Sequence, residues 1–228
     1  MAASRTLARS VHLRLVRAYG SPVWRAPLPA VDELVSTILS QNTNDTNRDR
    51  AFHALRVRFP TWEAVRDASP RAVIAAIRSA GLANQKGPRI QKALRTITAE
   101  RGALDLEFLR RVPAAEARAW LERLQGVGPK TASIVMQFSL GHPAFPVDTH
   151  IYRVSGRLGL RPERASVEQA HALLASLFRP DEYAAAHLNL IRHGREVCRA
   201  RKPACPDCIL RQLCQYWAGR GRKPARRV

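Results

Sequence analysis

The stretch LQGVGPKTA, from Leu124 to Ala132, places a Gly-Val-Gly turn between two apolar segments and a lysine just after the turn. Gly126 and Gly128 can adopt positive φ or let another backbone approach closely. A Gly-x-Gly turn before a helix aims successive backbone N–H groups outward, which predicts an anion-binding site. The alternative is an ordinary glycine cap followed by a tight turn. Lys130 could contact the same anion, or it could act as a nucleophile if a base lies nearby.

The charge of the chain points to an anionic partner. Its 228 residues include 38 basic and 18 acidic side chains, which gives a formal net charge of +20. Nucleic acid is the leading candidate for the partner of such a chain. Most of the basic residues are arginine, and an arginine excess also arises in a GC-rich genome. Hydrophobic residues make up 46% of the chain, which is enough for a proper core.

No segment approaches the ~18 consecutive apolar residues that span a bilayer, so we expect no membrane partner. The first 31 residues are rich in arginine and contain no acidic residue, which resembles an organellar transit peptide. However, Leu7, Val11, Leu15 and Tyr19 follow a roughly helical spacing, and we favour a structural helix. We therefore expect a cytoplasmic protein, associated with the nucleoid if the source is bacterial.

Helical periodicity runs along the whole chain, and no strand alternation is convincing. This pattern predicts an all-α fold of roughly ten short helices. Ser69-Pro70 is a good helix start, and Gly81 is the expected end of the helix that follows. Ser166 and Gln169 form a capping-box pattern before another apolar run. The segment GRGRKPARRV, residues 219–228, predicts a basic tail with weak nonspecific affinity for DNA.

Asp148 is the candidate helper for Lys130. It lies in PVDTHIYRV, directly before a periodic apolar set that includes Ile151 and Val154. Its type and position also suit a helix N-cap. Because a capping aspartate is held rigidly, the structural and chemical roles are compatible.

All four cysteines fall in one short segment with the spacing C-x6-C-x2-C-x5-C: Cys198, Cys205, Cys208 and Cys214. Two disulfides are possible, but nothing else in the chain indicates secretion. Zinc sites usually contain two C-x2-C pairs, and only one such pair occurs here. The spacing therefore favours a [4Fe–4S] cluster over zinc. The segment RARKPA between the first two cysteines would then be a stiffened, basic, phosphate-binding loop.

Together these motifs resemble the endonuclease III family of helix-hairpin-helix DNA glycosylases with an iron–sulfur cluster. The match rests on LQGVGPKTASIVMQFSLGHPAFPVDTHIYRV and on CRARKPACPDCILRQLC, and it covers about residues 30 to 216. The resemblance implies two helical lobes: residues 27–135 form a barrel with the hairpin, and residues 1–26 with 136–216 form the cluster lobe. Residues 217–228 would be the basic tail, and DNA would lie along the groove between the lobes.

The resemblance also implies an activity. Lys130 matches the family's nucleophile and Asp148 its essential aspartate, so we expect a monomeric bifunctional glycosylase and abasic-site lyase acting on oxidised pyrimidines. Its partner would be double-stranded DNA that contains damaged bases or abasic sites. The expected DNA contacts come from four segments: the loop around Asn42, the loop around Leu82, the hairpin and the cysteine loop. The residues are Gln41, Asn42, Leu82, Gly126, Val127, Gly128, Thr131, Arg199, Arg201 and Lys202.

Two loops carry the expected base-flipping residues. SQNTND, Ser40 to Asp45, matches a segment that fills the hole left by an extruded base, but Asn42 stands where the family usually has Gln. Leu82, in GLANQK, matches a leucine that wedges into the duplex, although it could be a plain core leucine. We expect His150 and His193 to be structural.

Two other functions remain open. A mismatch glycosylase would remove thymine or adenine from mispairs, and Asn42 keeps this possibility, whereas Lys130 argues against it. A DNA-binding module without catalysis would bind lesions without turnover. Both Lys130 and Asp148 are present, so the sequence gives no positive support to this third reading.

Overall fold

The computed structural model of the protein describes residues 2–22 and 26–220, and within those ranges it contains helices and no β-strand. The predicted all-α fold is confirmed. Twelve α-helices occur in the described ranges: α1 Ala2–Tyr19, α2 Ala30–Ser40, α3 Asp45–Arg58, α4 Trp62–Asp67, α5 Pro70–Ala76, α6 Ala83–Arg101, α7 Ala114–Glu122, α8 Pro129–Val135, α9 Thr149–Leu158, α10 Val167–Leu177, α11 Tyr183–Glu196 and α12 Gln215–Arg220. Shorter 3-10 segments are Arg78–Ala80, Glu107–Arg111, Pro180–Glu182 and Arg211–Leu213, and a π-helical turn spans Met136–Leu140. None of the helices in this part of the chain has the length and apolar character needed to cross a membrane.

The two helix starts that the sequence predicts are present. The Ser69 side chain caps α5, and Pro70 is the first residue of that helix. Ser166 and Gln169 form a reciprocal capping box at the start of α10. The predicted end at Gly81 is wrong for this helix, because α5 ends at Ala76, and Gly81, with φ of 66°, ends the 3-10 segment that follows it. The two starts depend on neighbouring residues alone, which is why the sequence predicts them.

The chain divides into two compact units. One, the hairpin unit, spans Ala26–His142. The other, the cysteine unit, contains the described residues before that span and those from Pro143 onward.

The hairpin unit ends later than residue 135, where the sequence places the boundary. The reason is that α8 continues directly into the π-helical turn Met136–Leu140. Within that turn, the Ser139 hydroxyl donates a hydrogen bond of 2.8 Å to the Leu28 carbonyl. Of the expected basic tail, residues 217–220 belong to α12, which packs on α9, and residues 221–228 lie outside the described residues.

Each unit has its own buried apolar side chains. In the hairpin unit, α2 is buried along most of its length and packs on α3 and α8, and the core includes Leu34, Ile38, Leu55, Ile90, Leu94 and Leu121. In the cysteine unit, α1 packs on α10 and α11 around a core that includes Val11, Leu15, Ile151, Val154, Leu174 and Leu190. Phe145 stacks on Phe178 with ring centroids 5.1 Å apart. This packing fixes the backbone that leads to Asp148.

Candidate active site and cysteine-lined cavity

The two hairpin glycines differ in backbone conformation and in the space available for a side chain. Gly126 has φ of 85°, in the left-handed region that side chains disfavour, and a Cβ atom there would lie 2.8 Å from Cδ of Arg89. Gly128 has extended backbone with φ of −101° and ψ of −178°. A Cβ atom on Gly128 would have no atom within 4 Å. The fold therefore requires glycine at position 126 but not at position 128.

Lys130 lies at the start of α8. Gly128 is the N-cap of that helix and Pro129 its first residue, so Lys130 is the second residue, and it is half-buried. Val127 and Thr131, which are also expected to contact DNA, are 5% and 3% exposed. Both residues are therefore buried, and the Val127 N–H already donates a hydrogen bond of 3.0 Å to the Leu124 carbonyl oxygen.

The loop that follows α2 is attached to the hairpin. The Gln41 side-chain amide donates a hydrogen bond of 3.0 Å to the Gly126 carbonyl oxygen. The next residue, Asn42, has φ of 52°. The structure thus brings the SQNTND loop and the Gly-Val-Gly turn together through one direct contact.

Among the described residues, three non-glycine residues have positive φ: Asn42, Leu82 and Lys202. All three are among the residues that the sequence assigns to DNA binding. Backbone strain of this kind concentrates at functional positions. The Leu82 side chain is also 47% exposed, so Leu82 is not a core leucine.

Asp148 is the N-cap of α9, as its position in the sequence predicts. Its Oδ1 accepts a hydrogen bond of 2.8 Å from the backbone N–H of Ile151, and the residue is half-buried. Lys130 belongs to the hairpin unit and Asp148 to the cysteine unit.

Two buried histidines anchor the segment before Asp148. Nδ1 of His171 lies 3.0 Å from the Phe145 carbonyl oxygen, and Nδ1 of His187 lies 2.9 Å from the Pro146 carbonyl oxygen. Because a carbonyl oxygen only accepts, each Nδ1 must carry the proton. This support could not be predicted from the sequence, since the histidines lie 26 and 41 residues along the chain from the carbonyls they bind.

All four cysteines line a single cavity in the cysteine unit, together with His193, Val154, Leu158 and Leu210. None forms a disulfide. They surround the cavity without converging on one point: within the described ranges, no group of three or more His, Cys, Asp or Glu side chains is arranged to hold a single metal ion. Four reduced thiols around one cavity fit the donor set of a [4Fe–4S] cluster.

Burial shifts the pKa of several groups that line this cavity. Burial raises the pKa of the Cys208 and Cys214 thiols, and the neighbouring cysteines raise both further. His193, whose Nε2 lies 3.5 Å from Sγ of Cys208, has its pKa lowered to about 4, mainly by burial. A neutral imidazole that also meets the Tyr19 hydroxyl at 2.9 Å is consistent with the structural role expected for His193.

The basic loop after Cys198 is held by an arginine of α9. Arg157 donates hydrogen bonds to the carbonyl oxygens of Arg199 at 2.7 Å and of Ala200 at 3.0 Å, and it lies 3.4 Å from Sγ of Cys198. The side chains of Arg199, Arg201 and Lys202 are exposed. Thus Asp148 caps the start of α9, and the last turn of the same helix supports the basic loop. Nothing in the sequence distinguishes Arg157 from the many other arginines of the chain.

Known proteins share both the sequence pattern and this architecture. Residues 35–180 match the family described as HhH-GPD superfamily base excision DNA repair protein. Endonuclease III of Thermotoga maritima is 33% identical over 193 residues, which are 85% of this chain and 86% of that protein. A protein of Arabidopsis thaliana that is provisionally named a DNA glycosylase is 41% identical over 174 residues, and the match spans 75% of this chain but only 59% of that protein. A solved structure of a trapped endonuclease III–DNA covalent intermediate superposes with a TM-score of 0.81 and 28% identity, covering 96% of this chain and 99% of the other.

These matches, together with the all-helical fold and the hairpin, define a DNA glycosylase of base excision repair. Within that class, the chain belongs to the endonuclease III family of the HhH-GPD superfamily. The family resemblance that the sequence motifs indicate is confirmed.

Proposed function

We propose that the protein is a bifunctional DNA glycosylase and abasic-site lyase that removes oxidised pyrimidines from double-stranded DNA. The observation that carries the proposal is the position of Lys130. This half-buried lysine follows the Gly-Val-Gly turn closely, at the second residue of α8. An amine nucleophile can form a covalent intermediate with the sugar, and this chemistry separates bifunctional from monofunctional glycosylases.

The reaction begins with a flipped nucleotide, because C1′ of a stacked base cannot be reached inside the duplex. The uncharged amine of Lys130 attacks C1′, and the bond between C1′ and the base breaks. The base leaves with the electron pair and takes up a proton. Loss of a proton from the attached amine and opening of the sugar ring give a Schiff base between Nζ and C1′.

The Schiff base then acts as an electron sink. A proton leaves C2′, the bond between C3′ and its oxygen breaks, and the 3′ phosphate is the leaving group. Strand cleavage is therefore 3′ to the lesion. Water hydrolyses the Schiff base and returns the free amine of Lys130.

Asp148 supports the first step. Its carboxylate assists the removal of the amine proton and stabilises the positive charge that develops on the sugar. The hydrogen bond from Ile151 N–H to Oδ1 fixes the rotamer. Oδ2 has no role in that cap.

DNA binding in this proposal combines phosphate contacts with two intruding side chains. Leu82 wedges into the base stack and Asn42 occupies the space of the extruded base; the exposure of Leu82 and the commitment of the Gln41 amide to Gly126 support this division. Arg199, Arg201 and Lys202 contact phosphates, as their exposure and the chain's charge of +20 support. Affinity should therefore fall steeply with salt concentration.

A [4Fe–4S] cluster is proposed for the four-cysteine cavity, held by Cys198, Cys205, Cys208 and Cys214. When bound, it supplies four metal–thiolate bonds that stiffen the basic loop. Arg157 orients the same loop through the carbonyl oxygens of Arg199 and Ala200. Iron and sulfide analysis of the purified protein, with Cys208→Ala for comparison, tests the assignment independently of activity.

Strand cleavage tests the bifunctional assignment. A labelled duplex with one oxidised thymine is incubated with the protein, and half of each sample is then treated with hot alkali. Equal cleavage in both halves supports coupled base release and lyase chemistry. Cleavage only after alkali would assign a monofunctional enzyme, and a panel of mispairs would then test the mismatch alternative. Tight binding with no base release would assign a binding module.

A further inference from the structure

Lys86 is buried in the hairpin unit, where a lysine is unusual. It lies in the first turn of α6, and 1% of it is exposed. Nζ donates hydrogen bonds of 2.8 Å to the Leu39 carbonyl oxygen and 2.8 Å to the Ala80 carbonyl oxygen. It forms no ion pair with a carboxylate in the described ranges. Burying an amino group is costly unless hydrogen bonds replace its hydration, and here two backbone oxygens do so.

The two carbonyls belong to the ends of two helical segments. Leu39 lies in the last turn of α2, and Ala80 is the last residue of the 3-10 segment Arg78–Ala80. Carbonyl groups at helix C-termini have no partner within their helix. Lys86 therefore satisfies two such groups at once and ties the two helix ends together.

Each of these ends leads into one of the strained loops. The chain passes from Leu39 to Asn42, with φ of 52°, and from Ala80 to Leu82, with φ of 50°. The backbone N–H of Lys86 also donates a hydrogen bond of 3.0 Å to the Leu82 carbonyl oxygen. Lys86 thus holds the Leu82 loop on both sides, through Ala80 and through Leu82 itself.

We propose that Lys86 is a positioning residue for base extrusion: its amino group sets the spacing of the Asn42 and Leu82 loops, so that both side chains enter the duplex together. This inference rests on the proposed function, in which these two side chains act on the base stack. Lys86 itself touches neither the DNA nor the reacting atoms. Its effect should therefore be confined to steps that require the duplex to open.

The test compares a duplex with one oxidised thymine against a single-stranded oligonucleotide with a preformed abasic site. The single strand needs neither a wedge nor a plug, but it still needs the Lys130 amine. Lys86→Met keeps the length of the side chain and removes its donors, and Lys92→Met on the exposed side of α6 is the matched control. Single-turnover rates are measured on both substrates.

Because small misplacements of active groups cost up to about a hundredfold in rate, we expect Lys86→Met to slow base release from the duplex by about tenfold or more. Lyase cleavage of the single strand should change by less than about twofold, because the Lys130 nucleophile is unaltered and this substrate does not need the two loops. Lys92→Met should match the wild type on both substrates. Equal losses on the two substrates, or no loss on either, would overturn the positioning role. Inactivity of the wild-type protein on both substrates would instead overturn the proposed function.

A double-mutant cycle covers the case in which Lys86→Met does not fold. Lys86→Arg keeps a charged donor but shifts its position, and it is measured alone and in combination with Leu82→Ala. If Lys86 acts through the wedge, Lys86→Arg will have little further effect on the duplex rate once Leu82 is truncated. If the rate losses of Lys86→Arg and Leu82→Ala on the duplex instead multiply in the double variant, the two residues act independently and the proposal is contradicted.

Discussion

The Gln41 side chain donates a hydrogen bond of 3.0 Å to the carbonyl oxygen of Gly126, and this bond joins the loop after α2 to the turn before Lys130. The amide is thus committed to the hairpin, and Asn42 is the next residue that can face a duplex. A loop proposed to fill the base stack and the turn that carries the proposed nucleophile are therefore parts of one structure.

The first prediction concerns this hydrogen bond. Gln41→Ala should lower the free energy of unfolding by about 1 kcal/mol, because the Gly126 carbonyl loses its side-chain donor. Base release from a lesion duplex should slow as well, since the turn is less well fixed. Urea denaturation and single-turnover kinetics measure the two effects. Unchanged stability would mean that the bond contributes nothing to the position of the turn.

The hairpin glycines give a second, paired prediction. Gly126→Ala should destabilise the protein by at least about 1–2 kcal/mol, because alanine is strained at positive φ and its Cβ meets Arg89. Gly128→Ala should cost at most about 1 kcal/mol, the loss of a favourable N-cap residue, because its backbone is extended and the space is open.

DNA affinity tests whether Gly128 lies at the DNA interface. If the turn lies against the DNA backbone, Gly128→Ala will weaken binding to a lesion duplex although the protein remains folded. Fluorescence anisotropy at fixed salt measures this binding. Unaltered affinity of Gly128→Ala would place the DNA away from the turn.

The third prediction separates the two roles of Asp148. Asp148→Asn keeps a good N-cap for α9 but loses the carboxylate, so stability should change little while base release falls by about a hundredfold or more. Asp148→Ala should lose the same activity and also about 1 kcal/mol of stability. Thermal melts and single-turnover rates of the two variants are compared. Normal activity of Asp148→Asn would remove this residue from the chemistry.

The fourth prediction follows from the pKa of Lys86, which burial lowers from its ordinary value of 10.5. Between the lowered pKa and 10.5, the unfolded chain binds more protons at this site than the folded chain does. The contribution of Lys86 to the free energy of unfolding therefore rises with pH in that range. Urea denaturation at several pH values gives the free energy of unfolding of the wild type minus that of Lys86→Met. This signed difference should increase toward pH 10.5. If the wild-type value minus the variant value instead decreases as the pH rises, the folded state raises this pKa.

Local signals predict much of the structure. The caps at Ser69, Ser166 and Asp148 depend on residues within one helical turn, and all three are present. The arrangement around Lys86 could not be predicted in this way, because its two carbonyl partners lie 47 and 6 residues away along the chain. Before the fold is known, a buried lysine looks like any surface lysine.

The two hairpin glycines show the same limit. They look equivalent in the sequence, and only the fold distinguishes them, through the positive φ of Gly126 and its contact with Arg89. Likewise, the role of Arg157 depends on carbonyl groups more than forty residues further along the chain. Such non-local contacts, rather than helix formation, decide how the site is held.

Borohydride trapping tests the central claim most directly. The protein is incubated with a duplex that contains one oxidised thymine, and the mixture is reduced, so that a Schiff base becomes a permanent protein–DNA bond. Lys130→Ala and the exposed control Lys92→Ala are treated in the same way. We predict a covalent adduct for the wild type and for Lys92→Ala, and none for Lys130→Ala. An adduct that persists in Lys130→Ala, or a wild-type protein that releases the base without forming any adduct, would contradict the assignment of Lys130 as the nucleophile.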